Sequence, residues 1–191
     1  MREHELNSKD NFIMGWYIDP VTCDQIIESF KNNPNKEEGR AGVQGTINKA
    51  IKDSIDLTVM PTATAIPFSY HHVLKECFDE YLKKYRFSRF NMSIREPIKI
   101  QYYPPGGGYK LWHMERGSLD EPIVRRHLVF MTFLNDVTEG GGTEFLYQNL
   151  CIKAEKGLTL IWPAEWMFTH RGQVSHTQEK YIITGWLSLN S

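Results

Sequence analysis

His113, Glu115, His170 and Lys180 are the residues whose types and order could do chemistry together in this chain. Two imidazoles and one carboxylate can hold one face of an octahedral Fe(II) and leave the other face open for a co-substrate and O2. A lysine beyond the second histidine can anchor the remote carboxylate of an organic acid bound to that metal. Such a contact is charge-assisted and stronger than a neutral hydrogen bond. The set points to oxygenation at iron rather than hydrolysis, and no Ser/His/Asp or paired-acid constellation competes with it.

Taken singly, each of these residues has a plainer use. A lone H-x-E carries almost no information, a lone histidine is more often hydrogen-bonded core or surface, and a lone lysine is usually solvated. The other histidines fit such roles: His127 opens an apolar run, His176 lies in a polar stretch, and His4, His71 and His72 fall in a tail and a helix. The conjunction with β-type patterning and the glycine turn Gly140-Gly141-Gly142 carries the reading. A phosphate cradle at those glycines is disfavoured, because no helix start or Lys-Ser/Thr follows them.

Alternation shows how the set could be positioned. Read as a strand, Tyr109 to Glu115 puts Tyr109, Leu111, His113 and Glu115 on one face. Lys180 to Leu189 puts Lys180, Ile182, Thr184, Trp186 and Ser188 on one face and Tyr181, Ile183 and Leu187 on the other. If the first set lines a barrel interior, Lys180 and Thr184 become buried polar groups in need of partners, and a dicarboxylate would supply one. Ile98 to Tyr103 alternates as a further strand, and the near-continuous apolar run Arg126 to Leu134 suits a strand buried on both faces.

The N-terminal half reads as support. Residues 1–11 are polar and expected to fray, and Phe12 to Ile18 forms a strand. Asp19-Pro20 opens a helix with Cys23, Ile26, Ile27 and Phe30 at helical spacing, ended by Asn33-Pro34. A polar connection over 34–47 leads to a partly alternating strand candidate, Asn48 to Met60. Pro67 opens a second helix whose stripe of Leu74, Cys77, Phe78 and Tyr81 suits packing on a sheet. Together these elements predict a mainly β, α+β protein: a double-stranded β-helix (jelly-roll) core with the helices packed on one sheet. A chain of 191 residues suits one domain over 1–191, with 1–97 as flanking elements and 98–190 as the core.

With a formal charge of −1 the chain has no general electrostatic grip on nucleic acid. Lys83-Lys84-Tyr85-Arg86 and Arg125-Arg126 read as solvated faces. Three scattered cysteines form no disulfide framework and fit a reducing compartment. The N-terminus shows no apolar signal segment, and no stretch approaches the roughly twenty apolar residues that span a bilayer. The expectation is a cytoplasmic, soluble protein.

Beyond the metal set, the sequence carries Tyr103, Phe133-Leu134-Asn135-Asp136, Gly141-Gly142-Thr143-Glu144-Phe145, and Lys156-Gly157 followed by Leu158 to Trp162. In that order and with Lys180 ten positions after His170, it resembles the prolyl-hydroxylase-type branch of the Fe(II)/2-oxoglutarate-dependent dioxygenases. The resemblance is close over 98–190 and loose before it. It implies Fe(II) on His113, Glu115 and His170, and 2-oxoglutarate held by Lys180 and Tyr103, with Thr184 supporting that end of the pocket. It also implies O2 as co-substrate, ascorbate as an aid to activity, and C4 hydroxylation of a proline in a peptide or protein. Arg116 and Trp186 are the candidate substrate contacts. Glu115 departs from the usual aspartate ligand and argues against halogenation, which would need the carboxylate removed. Phe133 stands where some relatives place a second tyrosine for 2-oxoglutarate. A hydroxylase of a free amino acid or other small molecule and a non-catalytic, metal-retaining jelly-roll module remain the alternatives.

Overall fold

The computed structural model describes residues 1–6, 11–42 and 45–190. In chain order the elements are β1 (Arg2–His4), β2 (Met14–Tyr17), α1 (Pro20–Asn32), β3 (Glu37–Glu38), β4 (Lys52–Asp53), β5 (Ile55–Val59) and α2 (Phe68–Lys84). There follow β6 (Met92–Ser93), β7 (Ile98–Tyr103), β8 (Gly108–Tyr109), β9 (Arg126–Phe133), β10 (Thr143–Phe145), β11 (Leu150–Ile152), β12 (Leu158–Pro163), β13 (His170–Gly172) and β14 (Lys180–Leu189). The chain is thus mainly β with few helices. Among the described residues, the large sheet runs β1-β2-β12-β9-β14-β7-β5-β3, with β6 paired to β14. Two smaller sheets run β11-β10-β13 and β4-β8, and every pairing is antiparallel.

The central strands follow their patterns. On β14, Tyr181, Ile183 and Leu187 enter one buried cluster, whereas Ile182 and Trp186 enter another. β9 divides likewise, with Leu128 and Phe130 on the first side and Val129, Met131 and Phe133 on the second. Cys23, Ile26 and Phe30 of α1 and Leu74, Cys77, Phe78 and Tyr81 of α2 share the first cluster. Phe78 meets Phe130 edge-on at 6.0 Å, and Phe30 meets Tyr181 at 5.8 Å. The second cluster joins the opposite face of the large sheet to Phe145 of β10 and Ile152 of β11. α1 starts as its sequence predicts: Asp19 caps it by accepting from the Val21 amide, and Pro20 occupies the first turn, where its missing N–H costs nothing.

Several expectations are corrected. Arg2–His4 is paired to Tyr17–Gly15 rather than frayed; residues 7–10 of that tail lie outside the described residues. The stretch Asn48 to Met60 holds two strands, β4 and β5, that pair with different partners. Tyr109 to Glu115 is not a continuous strand. Only Gly108–Tyr109 is, and beyond it successive backbone groups bond to three different segments: Lys110 N–H to Ile51, His113 to His170, and Arg116 N–H to Ala164. A strand needs one partner along its length, and this segment has none.

Phe130 also fixes a neighbour. A Cβ at Gly185 would lie 2.6 Å from the Phe130 ring. Gly185→Ala should therefore overpack the β9–β14 contact and cost about 1–3 kcal/mol of stability, read as a lowered urea midpoint with an unchanged m-value.

Candidate metal centre and its cavity

The segment that leaves β8 is tied down at both ends. Gly106 takes a positive φ of 82°, which turns the chain after β7, and β4 then holds Tyr109 in register with Lys52. Further on, His113 and His170 exchange both backbone hydrogen bonds at 2.9 Å. Arg116 closes the segment through its amide on the Ala164 carbonyl and an ion pair with Glu165.

That splice brings the two imidazoles together, with ring centroids 4.4 Å apart. Oε1 of Glu115 lies 3.8 Å from His113 Nε2 and 3.5 Å from His170 Nε2. One donor atom from each of the three lies within 4.8 Å of the others, so they could hold one ion. Both Nδ1 atoms are turned away: His113 Nδ1 faces the Leu111 carbonyl at 3.0 Å and His170 Nδ1 the Phe168 carbonyl at 2.8 Å. An Nδ1–H donated to a carbonyl leaves Nε2 as the bare lone pair, the tautomer a metal requires. Burial and the neighbouring His170 push His113 down to about 3, so its ring is neutral. Burial alone would raise the Glu115 carboxyl, but the nearby His170, His113 and Arg126 outweigh it and hold it well below the usual carboxylate range. Two imidazoles presenting Nε2 and one anionic oxygen, on one side of an open cavity, are a donor set suited to a divalent transition metal.

The set lines a cavity of about 460 Å³, within the usual range for small-molecule sites. Lys180 is also in its wall, 5% exposed, and burial pushes its ammonium down to about 8. Its Nζ donates to the Gly141 carbonyl at 3.0 Å and sits 4.9 Å from the Tyr103 ring centroid. No carboxylate of the described residues is ion-paired with it. A buried ammonium with only neutral partners is costly, and an anion entering the cavity would offset that cost. The residues therefore fit both a metal and an acid beside it.

The remaining expected residues divide. Tyr103 is buried in the cavity wall, directly across from Lys180 in the β7–β14 register, and burial raises its hydroxyl well above the ordinary value. Its O–H donates to Gln101 Oε1 at 3.0 Å. Thr184 lines the cavity and donates to the Phe130 carbonyl, four positions along β14 from Lys180. Trp186 lines it too, and its indole N–H donates to Glu115 Oε2 at 2.9 Å. Arg116 is not in the cavity wall; its guanidinium is engaged by Glu165. Phe133 is wholly buried in the second cluster.

Other residues of the site escaped the sequence. Arg126, read as solvated, is half-buried against Glu96 and Glu115. Lys52 and Asp56 form a buried ion pair at 2.5 Å, extended by Ser54 and Gln101. Through Gln101 that pair reaches the Tyr103 hydroxyl. The Lys52/Asp56 spacing of four mimics an exposed helical pair, so only the tertiary setting reveals it.

The model of the 2OG-Fe(II) oxygenase superfamily matches residues 98–188, which span β7 to β14 and the whole metal centre. The matched region, residues 98–188, carries the pattern of that superfamily. No curated protein matches its sequence. Solved oxygenase structures share its fold at low identity. A viral collagen prolyl hydroxylase from Paramecium Bursaria Chlorella virus-1, in complex with 2OG, is 17% identical with a TM-score of 0.72, covering 95% of this chain and 98% of that one. A Pseudomonas putida prolyl-4-hydroxylase is 15% identical with a TM-score of 0.68, covering 95% of each. A Trichoplax adhaerens prolyl hydroxylase, solved with a hypoxia inducible factor peptide fragment, is 14% identical with a TM-score of 0.74, covering 94% and 84%.

Removal of either imidazole should weaken metal binding. In a titration with Co(II) as a spectroscopic stand-in, the unaltered chain should take up one equivalent. His113→Ala and His170→Ala should each weaken uptake by more than about 100-fold, beyond the effect of losing an outer-shell partner. Uptake undiminished in either variant would place the ion elsewhere.

Proposed function

We propose that this chain is a 2-oxoglutarate- and O2-dependent hydroxylase acting on a proline in a peptide or protein. The observation that carries the reading is the pairing, in one cavity, of the His113–Glu115–His170 donor set with the buried, uncompensated Lys180. Fe(II) bound there, with 2-oxoglutarate and O2, supplies an oxidant that breaks a C–H bond and leaves it hydroxylated, with succinate and CO2 as the other products. In this reading His113, Glu115 and His170 hold the metal by one face, and Lys180 and Tyr103 receive the far carboxylate of the co-substrate. Met131 and Ile182 give the cavity wall near that end an apolar lining, which strengthens each charged contact. No protein base is needed at the C–H.

The same reading takes 1–191 as one domain, with the large sheet and the β11-β10-β13 sheet as the two walls of a double-stranded β-helix. The chosen substrate rests on fold neighbours named as prolyl hydroxylases, one of them holding a peptide. A polar small molecule is the second substrate class, favoured by Lys99, Lys52 and Gln101 in the cavity wall. A closed structural zinc site fits less well, because such sites use four protein ligands. No helix among the described residues is long and apolar enough to cross a membrane, and Cys23, Cys77 and Cys151 are unpaired, which supports a reducing, cytoplasmic setting.

Incubation of the full chain with Fe(II), ascorbate and 2-oxoglutarate should yield succinate, with turnover stimulated by proline-containing peptides and an added oxygen on proline. Stimulation by free amino acids alone would transfer the reading to the small-molecule class, and absence of succinate under all conditions would overturn it. Lys180 adds a pH signature. Its ionisation in the free chain is depressed to about 8, so the ammonium is present below that pH and lost above it. Since the co-substrate needs the charged form, its affinity for the Co(II)-loaded chain should fall by up to about tenfold per pH unit above pH 8. Lys180→Arg should flatten that slope, because a guanidinium stays charged past about pH 12. A slope unchanged by the arginine would remove Lys180 from the co-substrate site.

A further inference from the structure

The two oxygens of Glu115 have different surroundings. Oε1 is the one turned towards both imidazoles. Oε2 accepts the Trp186 indole N–H at 2.9 Å and lies 3.6 Å from Arg126 Nη1. Arg126 is itself immobilised. Its Nε and Nη2 grip the buried Glu96 carboxylate at 2.9 and 2.5 Å, and its Nη1 donates to the Glu115 backbone carbonyl at 3.0 Å. Its guanidinium carbon stacks 3.6 Å over the Trp186 ring. Indole, guanidinium and Glu96 are thus locked together around one oxygen of the glutamate.

We infer that Trp186 and Arg126, braced by Glu96, are positioning residues that restrict Glu115 to one metal–oxygen bond. The inference rests on the function proposed above. A glutamate has one more rotatable bond than an aspartate and can swing to chelate an ion through both oxygens. Chelation would consume an additional coordination position, leaving too few for a bidentate co-substrate together with O2. Holding Oε2 on the protein removes that option and lets the longer acid serve as a single ligand. Trp186 is then assigned to the carboxylate rather than to substrate. Arg126 places its charge where it steadies Glu115 without competing for Oε1.

The test uses the full chain loaded with Co(II) in the absence of O2, titrated with 2-oxoglutarate. It reads the visible Co(II) bands and the co-substrate dissociation constant. Trp186→Phe keeps a ring for Arg126 to stack on but deletes the N–H. It should retain Co(II), change the visible bands before any co-substrate is added, and raise the 2-oxoglutarate dissociation constant by about tenfold, the size expected for one hydrogen bond to a charged group. Glu115→Asp supplies the control. The shorter acid cannot reach the indole from the same backbone, so adding Trp186→Phe to it should change co-substrate affinity by less than about twofold, a breakdown of additivity diagnostic of direct coupling. Unaltered bands and affinity in Trp186→Phe, or the same loss in both backgrounds, would overturn the clamp. If the unaltered chain took up Co(II) but no 2-oxoglutarate, the proposed function itself would fall, and the clamp with it.

Discussion

The reciprocal backbone hydrogen bonds between His113 and His170 are the constraint on which the site depends. His113 belongs to no strand; the splice fixes its backbone, while the Leu111 carbonyl on Nδ1 and the Tyr109 ring at 3.8 Å set where its imidazole points. The splice works because each side is held independently. β13 is paired to β10, with His170 opposite Phe145, while the segment around His113 is anchored by β4 before it and by Ala164 and Glu165 after it. The metal centre is therefore assembled across a seam between the small sheet and a connecting segment. The large sheet supplies the wall opposite.

Charge placement gives the site its chemistry at some expense to stability. A buried ion pair such as Lys52–Asp56 seldom stabilises more than well-packed apolar residues would, and a buried ammonium without a counter-ion is worse. Lys180 lies in the second category, and the fold tolerates it in a wall shared with Ile182, Met131 and Tyr103. Glu115 is the reverse case, an acid surrounded by donors. The cavity thus has an electron-rich side at the triad and an unsatisfied cation near Tyr103, a polarity suited to a molecule that binds by two ends.

The strands that read clearly from the sequence are those with one partner on each side and one apolar face on each cluster. β7 and β14 begin and end where the alternation of Ile98 to Tyr103 and Lys180 to Leu189 does, and the two faces of β14 separate as the pattern requires. The helix at Asp19-Pro20 was legible because its cap is local. What the sequence hid depends on distant partners. His113 and Glu115 do share a cavity, but through a splice to His170 that no local pattern encodes. Arg126 sits beside Arg125 and looks solvated, yet β9 carries it inward to Glu96, thirty positions earlier in the chain. Arg116 adjoins the metal motif in sequence but turns to Glu165, whereas Trp186, readable only as a strand-face aromatic, bonds the metal motif's own carboxylate.

X-ray absorption at the iron edge of the Fe(II)-loaded full chain probes the convergence of these three side chains most directly. The account predicts six nitrogen and oxygen neighbours, outer-shell scattering from two imidazoles, and a chelate signature that appears on adding 2-oxoglutarate. A spectrum indistinguishable from that of Fe(II) in buffer, or one without imidazole scattering, would contradict it.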